Sequence, residues 1–415
     1  MNRSLARSFR ARPSPRPSSS SSKPSLRQKI EHEDEGRGTR TNSLGRFMAP
    51  MRVQFLRLKL LLILSFLAAI SSAPALERPG VEFKIFQFPP DKIPRIDGQA
   101  DDWDIVPKDY IIGLDQLSDT VGGRGTNYDR GDLDVQVRVG WVKGLNQLYF
   151  LYEAFDDYWD FARTDLHNDI FELVVDGDLS GGPFIKQMHP HFKDKPEEAH
   201  FNFHGVHAQN YHIFTPAEGK DWTMVWGCQP WIKELPYANA AQRYSFRPGQ
   251  SGKLVLEFWI TPFDYAPAEG PARAVVSQLK ENGIIGMSWS ILDYDDEKAE
   301  RFKAFWNLSH KTTMYGNASD LCAFRLMPLE ANLRKPIDAQ WSFRVVDAAR
   351  RLVAFQDESR GEINSWKWDF GDGQTSTERH PQHRYEKGGE FTVTLWIEGP
   401  AGKSRRAKVW DLFLK

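Results

Sequence analysis

Apolar and polar residues alternate with a period of two along most of the chain from residue 81 onward. Residues 134–141, DVQVRVGW, place three valines and a tryptophan on one face, with Gln136 and Arg138 on the other. The segment 253–260, KLVLEFWI, alternates in the same way. This period is typical of a strand with one buried face. Further strands are predicted at 81–88, 147–154, 169–175, 207–214, 284–291 and 322–328.

Helical patterns are scarce in the same region. The strongest helix candidate is short, from Ala272 to Leu279, and the predicted strands are separated by turns rich in Gly, Pro and Asp. This balance favours an all-β fold made of two β-sandwich domains over an α/β fold. The pattern changes near Glu330, so we predict a large domain at 76–330, a polar linker at 331–340 and a second domain at 341–415.

The second domain contains a specific motif around residues 364–397. Trp366 and Trp368 alternate into a strand, the GDG turn at 371–373 needs positive φ, and FTVTLWI is a closing strand. We expect Asp369 and Asp372 to accept backbone N–H bonds in this turn. The WDFGDG segment and the residues after it, up to FTVTL, closely resemble the PKD domain. That resemblance implies an immunoglobulin-like sandwich that acts as an extracellular spacer or adhesion module, without catalysis.

Charge and cysteine content restrict the partners. The 54 basic and 55 acidic residues give a net charge of −1, so no long-range field favours nucleic acid. Two cysteines, Cys228 and Cys322, are too few for a disulfide framework, and the sequence leaves open whether they are bridged.

The N-terminal region predicts export. Residues 1–50 are rich in Ser, Arg and Pro and are expected to be disordered or untranslated. Residues 51–75 have basic residues, a short apolar core and small residues ending at Ala75, which is the pattern of a secretory signal peptide. The apolar run is too short to span a bilayer. We therefore expect a secreted or cell-surface protein with no membrane span in the mature chain.

Four segments of the large domain resemble a known family when taken in order. They are IPRIDGQADDW, LYFLYEAFDDYWDF, NDIFELVVDGDLSGG and GMSWSILDYDDEKAERFKAFWN. Together they are similar to the family-9 carbohydrate-binding modules and related DOMON-like sandwiches. The resemblance implies a noncatalytic sugar-binding sandwich with structural calcium. The sequence departs from the family between Gly182 and Trp231, so the binding residues are not placed by it.

The turn at 176–181 offers half of a calcium site. Asp176, Asp178 and Ser180 occupy the first, third and fifth places of a calcium loop, but the twelfth place is Gln187 and a strand precedes the loop. An Asx turn explains the same residues without an ion. Further carboxylates at Asp156, Asp157, Asp293, Asp295 and Asp296 are a second candidate.

Aromatic residues are the best candidates for sugar binding. Trp222, Trp226 and Trp231 lie close together, and Trp159 is a further candidate. Sugar rings stack on indole, while their hydroxyls need a polar rim, for which His204 is a candidate. On a strand, Trp222 and Trp226 would share a face. Other tryptophans, Trp103, Trp141, Trp289 and Trp306, are expected to be core residues.

Histidines are concentrated at 189–212, where six of the eleven occur. A strand at 199–207 would place His200, Asn202 and His204 on one face, so a zinc or haem site is an alternative. No metalloprotease motif or G-x-S-x-G elbow is present. The acids lie in turns of a small sandwich, which argues against a glycosidase.

The sequence therefore predicts a secreted, noncatalytic carbohydrate-binding protein, with the PKD domain as a spacer or adhesion module and calcium as its candidate cofactor. Two alternatives remain at this point. One is a structural or adhesion protein that binds another protein. The other is a DOMON-type haem carrier or a hydrolase-associated protein.

Overall fold

The computed structural model describes residues 76–412, with the side chains described up to residue 410. The predicted N-terminal extension and signal peptide, residues 1–75, lie outside the described residues. No helix within 76–412 is long and apolar enough to cross a membrane.

The large domain is built from strands, as the period of two predicts. Each long predicted strand is present, with boundaries that differ by a few residues. The strands are β1 (Glu77–Gln87), β2 (Ile112–Gly113), β3 (Ser118–Asp119), β4 (Leu133–Trp141), β5 (Leu148–Asp156), β6 (Ile170–Asp176), β7 (Gln209–Phe214), β8 (Thr223–Val225), β9 (Ala238–Arg243), β10 (Gly252–Ile260), β11 (Phe263–Tyr265), β12 (Val275–Val276), β13 (Ile284–Asp293), β14 (Ala304–Asn307) and β15 (Cys322–Leu326).

Most of these strands form two sheets that share β1, while β11 and β12 pair only with each other. The first sheet has the order β8-β7-β6-β13-β15-β1, with β14 beside β13, and the second has the order β1-β4-β5-β10-β9. Strand β1 runs parallel to β15 as far as Ile85 and then parallel to β4 at Phe86 and Gln87. The alternating residues of both sheets face each other and form the main core. All four tryptophans predicted to be core residues are buried.

A loop at 96–103, which contains the IDG segment, wraps around one buried carboxylate. Glu257 on β10 accepts three backbone N–H bonds at Oε2, from residues 97 to 99, at 2.8 to 3.1 Å. Its Oε1 accepts the indole N–H of Trp103 at 2.9 Å. Gly98 has φ +76°, and a Cβ there would lie 3.1 Å from the backbone of Gln242. The close approach to Gln242 explains the glycine at position 98 of the segment IPRIDGQADDW, and the hydrogen bond to Glu257 explains its tryptophan at position 103.

Two secondary-structure predictions are wrong. Residues 272–279 do not form a helix; a 3₁₀-turn, Pro271–Arg273, leads directly into β12. The predicted strand at 199–207 overlaps an α-helix, α1 (Pro196–Phe203). Pro196 in the first turn and the two glutamates after it are helix-start signals that the alternation of His and Phe concealed. The other 3₁₀-helices are Asp101–Trp103, Lys108–Tyr110, Leu114–Gln116, Lys186–Met188, Pro230–Lys233, Thr312–Tyr315, Ala318–Asp320 and Ala331–Leu333.

The second domain is a small sandwich of two sheets with its own core around Trp341 and Trp368. Its strands are β16 (Trp341–Asp347), β17 (Leu352–Asp357), β18 (Ser365–Asp369), β19 (Thr375–Ser376), β20 (Gln382–Arg384), β21 (Gly389–Gly399) and β22 (Gly402–Leu412). One sheet has the order β16-β17-β20 and the other β19-β18-β21-β22. Asp369 and Asp372 accept N–H bonds from Gly371 and Gln374, as expected for the turn.

The two cysteines are not bridged. Cys322 is buried in β15, and Cys228 is half-buried, with both thiols free. Burial raises the pKa of the Cys228 thiol to about 11, so it is a poor nucleophile near neutral pH.

Candidate functional site

The outer face of the first sheet carries two rows of side chains that cross its strands. The strand register places one polar row and one apolar row side by side. Because alternate residues of a strand share a face, each row has one member per strand. The polar row is His212, Glu172, Ser290 and Asn307, and the apolar row is Phe214, Ile170, Leu292 and Phe305.

A cavity of about 230 Å³ lies over part of these rows. We call it the aromatic pocket. Glu172 is the single carboxylate among its lining side chains, which are otherwise largely apolar or aromatic. The indole of Trp226 lines it, and one indole face packs against His212 with the ring centroids 5.5 Å apart. The lining residues are Val121, Leu166, Ile170, Glu172, His212, Trp226, Leu292, Phe302, Phe305, Thr312 and Tyr315.

The polar base of the aromatic pocket is a small hydrogen-bond network centred on Glu172. Its Oε1 accepts the Asn210 amide at 2.8 Å and His212 Nε2 at 2.9 Å. The Asn210 amide also donates to the carbonyl oxygen of Tyr315, which connects the base to the wall. Glu172 is only 4% exposed. A rigid carboxylate therefore lies at the floor of a pocket with aromatic walls.

Of the four tryptophans predicted to bind sugar, the structure brings one, Trp226, to this pocket. The prediction for Trp159 is wrong, because its ring is 1% exposed and stacks on Phe246 at 4.9 Å. Trp222 packs against the core between the sheets, and its Nε1 donates to the carbonyl oxygen of Lys233. Trp231 packs on Phe263. Trp222 and Trp226 flank the three-residue strand β8 and do not share a face, because Trp222 packs against the main core and Trp226 lines the aromatic pocket.

His204 does not lie at an exposed rim, as predicted from a strand. It is 3% exposed and packs against the Trp226 ring in a T-shaped arrangement, with the ring centroids 5.7 Å apart. Burial lowers the pKa of His204 to about 4, which favours a neutral ring. The residue therefore supports Trp226 and does not itself face the pocket.

The turn after β6 is hydrogen-bonded as an Asx turn. Asp176 accepts the N–H of Ser180 at 3.3 Å and that of Gly181 at 2.8 Å, and Asp178 also accepts from Ser180. These bonds satisfy both carboxylates without an ion. Burial raises the pKa of Asp176 to about 6. Calcium binding at this turn stays a prediction.

A different set of carboxylates converges where β5 and β13 end. Asp156, Asp293 and Asp295 each place an oxygen within 4.8 Å of the others, and Asp295 also meets Asp132 and Asp157 in this way. We call these five residues the carboxylate cluster. Lys303 forms ion pairs with Asp132 and Asp295, and Arg124 pairs with Asp132. Five carboxylates thus face two cationic side chains.

Several oxygens of the carboxylate cluster have no partner. Both oxygens of Asp293 and one oxygen of Asp156 are buried without a hydrogen bond, and each residue is 1% exposed. Burial, together with the nearby Asp293 carboxylate, raises the pKa of Asp156 to about 8. Burial raises the pKa of Asp293 to about 6. Oxygen ligands at this spacing suit calcium, which neutralises such a cluster.

A larger groove of about 440 Å³ is lined by prolines and leucines near residues 89–91, 328–335 and 400–401. Its charged side chains already have partners. Lys335 pairs with Asp91, and Arg334 donates to the carbonyl oxygens of Leu329 and Pro400. The groove therefore lacks free groups that would orient a polar ligand.

Residues 337–411 match the family model described as the PKD domain. A collagenase, ColQ1 of Bacillus cereus (strain Q1), is 46% identical over 48 residues, which are 12% of this chain and 5% of that protein. The chain thus spans about a twentieth of this curated relative. The solved PKD1 domain of the Vibrio cholerae metalloprotease PrtV is 31% identical over 19% of this chain and 96% of that one, with a TM-score of 0.17. The PKD prediction is confirmed.

The large domain is similar to a solved carbohydrate-binding module of family 9 from Caldicellulosiruptor kristjanssonii, in complex with cellotriose. The identity is 13%, the match covers 62% of this chain and 98% of that chain, and the TM-score is 0.39. The prediction of an all-β protein with a C-terminal immunoglobulin-like domain is confirmed by the strands and by the family match.

Proposed function

We propose that the large domain binds carbohydrate without chemical conversion and that the aromatic pocket is the binding site. The observation that supports this proposal is the combination of the Trp226 indole with a fixed polar base at Glu172 in one cavity. A sugar ring would stack on the part of the Trp226 indole that lines the cavity. Its hydroxyls would donate to Glu172.

The arrangement suits a sugar for physical reasons. The C–H faces of a pyranose are apolar and stack on indole, while a carboxylate orients the hydroxyl groups at the ring edge. Asn210 and His212 hold Glu172 in one position, so a ligand would not have to order it. The cavity is smaller than the roughly 300–1,000 Å³ of drug-sized sites, which favours a single ring.

The same pocket argues against hydrolysis of the bound sugar. A glycosidase uses two carboxyl groups that face each other across the glycosidic bond, roughly 5 to 10 Å apart. Glu172 has no second carboxyl group opposite it among the described lining residues. In this proposal the PKD domain is a spacer or adhesion module in an exported protein.

Calcium would act as a structural ion at the carboxylate cluster. The unpartnered oxygens of Asp156 and Asp293 fit this role, because they are buried and converge with Asp295. The cluster connects the end of β5 with the end of β13, so an ion there would fix two strands of different sheets. It would stabilise the sandwich that presents the aromatic pocket.

The binding proposal is tested with two tryptophans that lie four residues apart. Trp226→Ala is expected to weaken binding of the best ligand on a panel of hexoses, hexosamines and cellotriose by about tenfold or more, because stacking is lost. Isothermal titration calorimetry measures this.

Trp222→Leu is the matched control, since Trp222 packs on the core and does not line the pocket. This variant is expected to keep the affinity of the unmodified chain once its fold is verified by circular dichroism. Equal affinity of the Trp226→Ala variant and the unmodified chain would contradict the proposed site.

A further inference from the structure

The charge at the base of the aromatic pocket is not compensated by a cationic side chain. Glu172 forms no ion pair with any lysine or arginine of the described residues, and its ionic contact is with the His212 imidazole. Glu153 of the same domain differs, because it pairs with Arg138 at 2.7 Å. Glu172 is nevertheless the more deeply buried of these two glutamates.

His212 does not need to be charged to make this contact. Its Nε2 lies 2.9 Å from Glu172 Oε1, while its Nδ1 is buried and has no hydrogen-bond partner. A protonated ring would leave an N–H at Nδ1 without an acceptor, which is costly in a buried site. The neutral tautomer with its proton on Nε2 satisfies the geometry. In this geometry the Glu172 carboxylate has no cationic partner among the described residues.

A buried carboxylate without a cation is unfavourable, and a cationic ligand removes that penalty. The walls of the aromatic pocket add to the attraction. Trp226, Phe305 and Tyr315 line the cavity together with Phe302. Aromatic faces attract ammonium groups through their quadrupole, so these walls favour a positive charge.

We infer that the sugar bound in the aromatic pocket carries a protonated amine and that Glu172 is its counter-ion. This inference rests on the proposed function and specifies the class of sugar, an amino sugar with a free amino group. The ring would stack on Trp226 and the ammonium group would donate to Glu172. An N-acetylated amino sugar has no positive charge and would lose this contact.

The test compares ligands on the unmodified chain at about pH 7, above the ordinary pKa of histidine of about 6.5 and below the pKa of an ammonium group, roughly 8 to 10. Calorimetric titrations use glucosamine, glucose, N-acetylglucosamine and Nα-acetyl-lysine amide. We expect glucosamine to bind roughly tenfold to a hundredfold more tightly than glucose and N-acetylglucosamine, which is the range of a charge-assisted hydrogen bond.

The variant Glu172→Gln keeps the side-chain shape and removes the charge. It is expected to reduce the preference for glucosamine over glucose to about one. Glu386→Gln, at an exposed glutamate of the second domain, is the control and should keep the preference. Since the comparison of ligands needs no variant, the test stands even if Glu172→Gln does not fold.

The outcomes separate the two proposals. Equal affinity for glucose and glucosamine would overturn the inference and leave the proposed function standing. Absence of binding by every sugar tested, glucosamine included, would overturn both. If Nα-acetyl-lysine amide bound as tightly as glucosamine, the ligand of the pocket would be a lysine side chain of a protein. That result would overturn the assignment to amino sugars.

Discussion

Glu257→Ala is expected to lower the free energy of unfolding of the large domain by about 3 to 5 kcal/mol. Glu257 is fully buried and accepts four N–H donors from the loop at 96–103. Each buried donor that loses its acceptor costs roughly 1–3 kcal/mol, and water entering the new space offsets part of the sum. Urea denaturation followed by circular dichroism measures the change.

Two further variants make this prediction specific. Glu257→Gln keeps the shape and one acceptor oxygen, so its loss should be smaller than that of alanine. Glu153→Ala removes a glutamate from the neighbouring strand β5 that is 35% exposed and pairs with Arg138, and should cost about 1 kcal/mol or less. A loss of less than about 1 kcal/mol for Glu257→Ala would show that the loop does not depend on this carboxylate.

Calcium is expected to raise the melting temperature of the chain by about 5 to 10 °C. With a dissociation constant of about 10 µM, roughly 1 mM calcium would stabilise the folded state by about 2.7 kcal/mol. A domain of this size shifts by about 2–4 °C for each kcal/mol. Differential scanning fluorimetry in calcium and in EDTA measures the difference.

Variants locate the calcium site. Asp293→Asn should remove the response, because both of its buried oxygens lack partners in the carboxylate cluster. Asp178→Asn, in the turn after β6, should leave the response intact. The opposite result, with the response lost in Asp178→Asn alone, would place calcium at the turn.

The pKa values of the carboxylate cluster fix the direction in which its contribution to the free energy of unfolding changes with pH when calcium is removed by EDTA. The folded state holds the pKa of Asp156 at about 8 and that of Asp293 at about 6, both above the ordinary value of about 3.9. These two groups bind protons more tightly in the folded chain than in the unfolded chain, so the stability that they contribute is fully present below about pH 4 and is lost as pH rises to about 8. Saturating calcium should remove this decline.

Most of the fold follows from local sequence pattern. The period of two in 134–141 and 253–260 identifies β4 and β10, because a half-buried strand needs that alternation whatever its partners are. The GDG turn is equally local, since its glycines need positive φ. The region 196–204 shows the limit: alternating His and Phe imitate a strand, while Pro196 and the glutamates after it begin a helix.

The site depends on contacts that no local pattern contains. The sequence does not mark Glu172 as a candidate binding residue. Its place in the pocket comes from the strand register that sets it beside His212 on β7 and Ser290 on β13. Tyr315 and Phe302 reach the same pocket from distant segments. Aromatic content and spacing point to Trp226, but aromatic content does not separate it from Trp159, which is buried against Phe246. The one signal for Glu172 in the sequence is its place as a charged residue inside the otherwise apolar run IFELVV, residues 170–175.

A crystal structure of the chain soaked with glucosamine and, separately, with glucose tests the central claim most directly. We expect density for one sugar ring against the Trp226 indole, with a polar atom of the ring within hydrogen-bond distance of Glu172. A sugar found instead on the exposed face of β4, β5 and β10, with the aromatic pocket empty, would contradict the account.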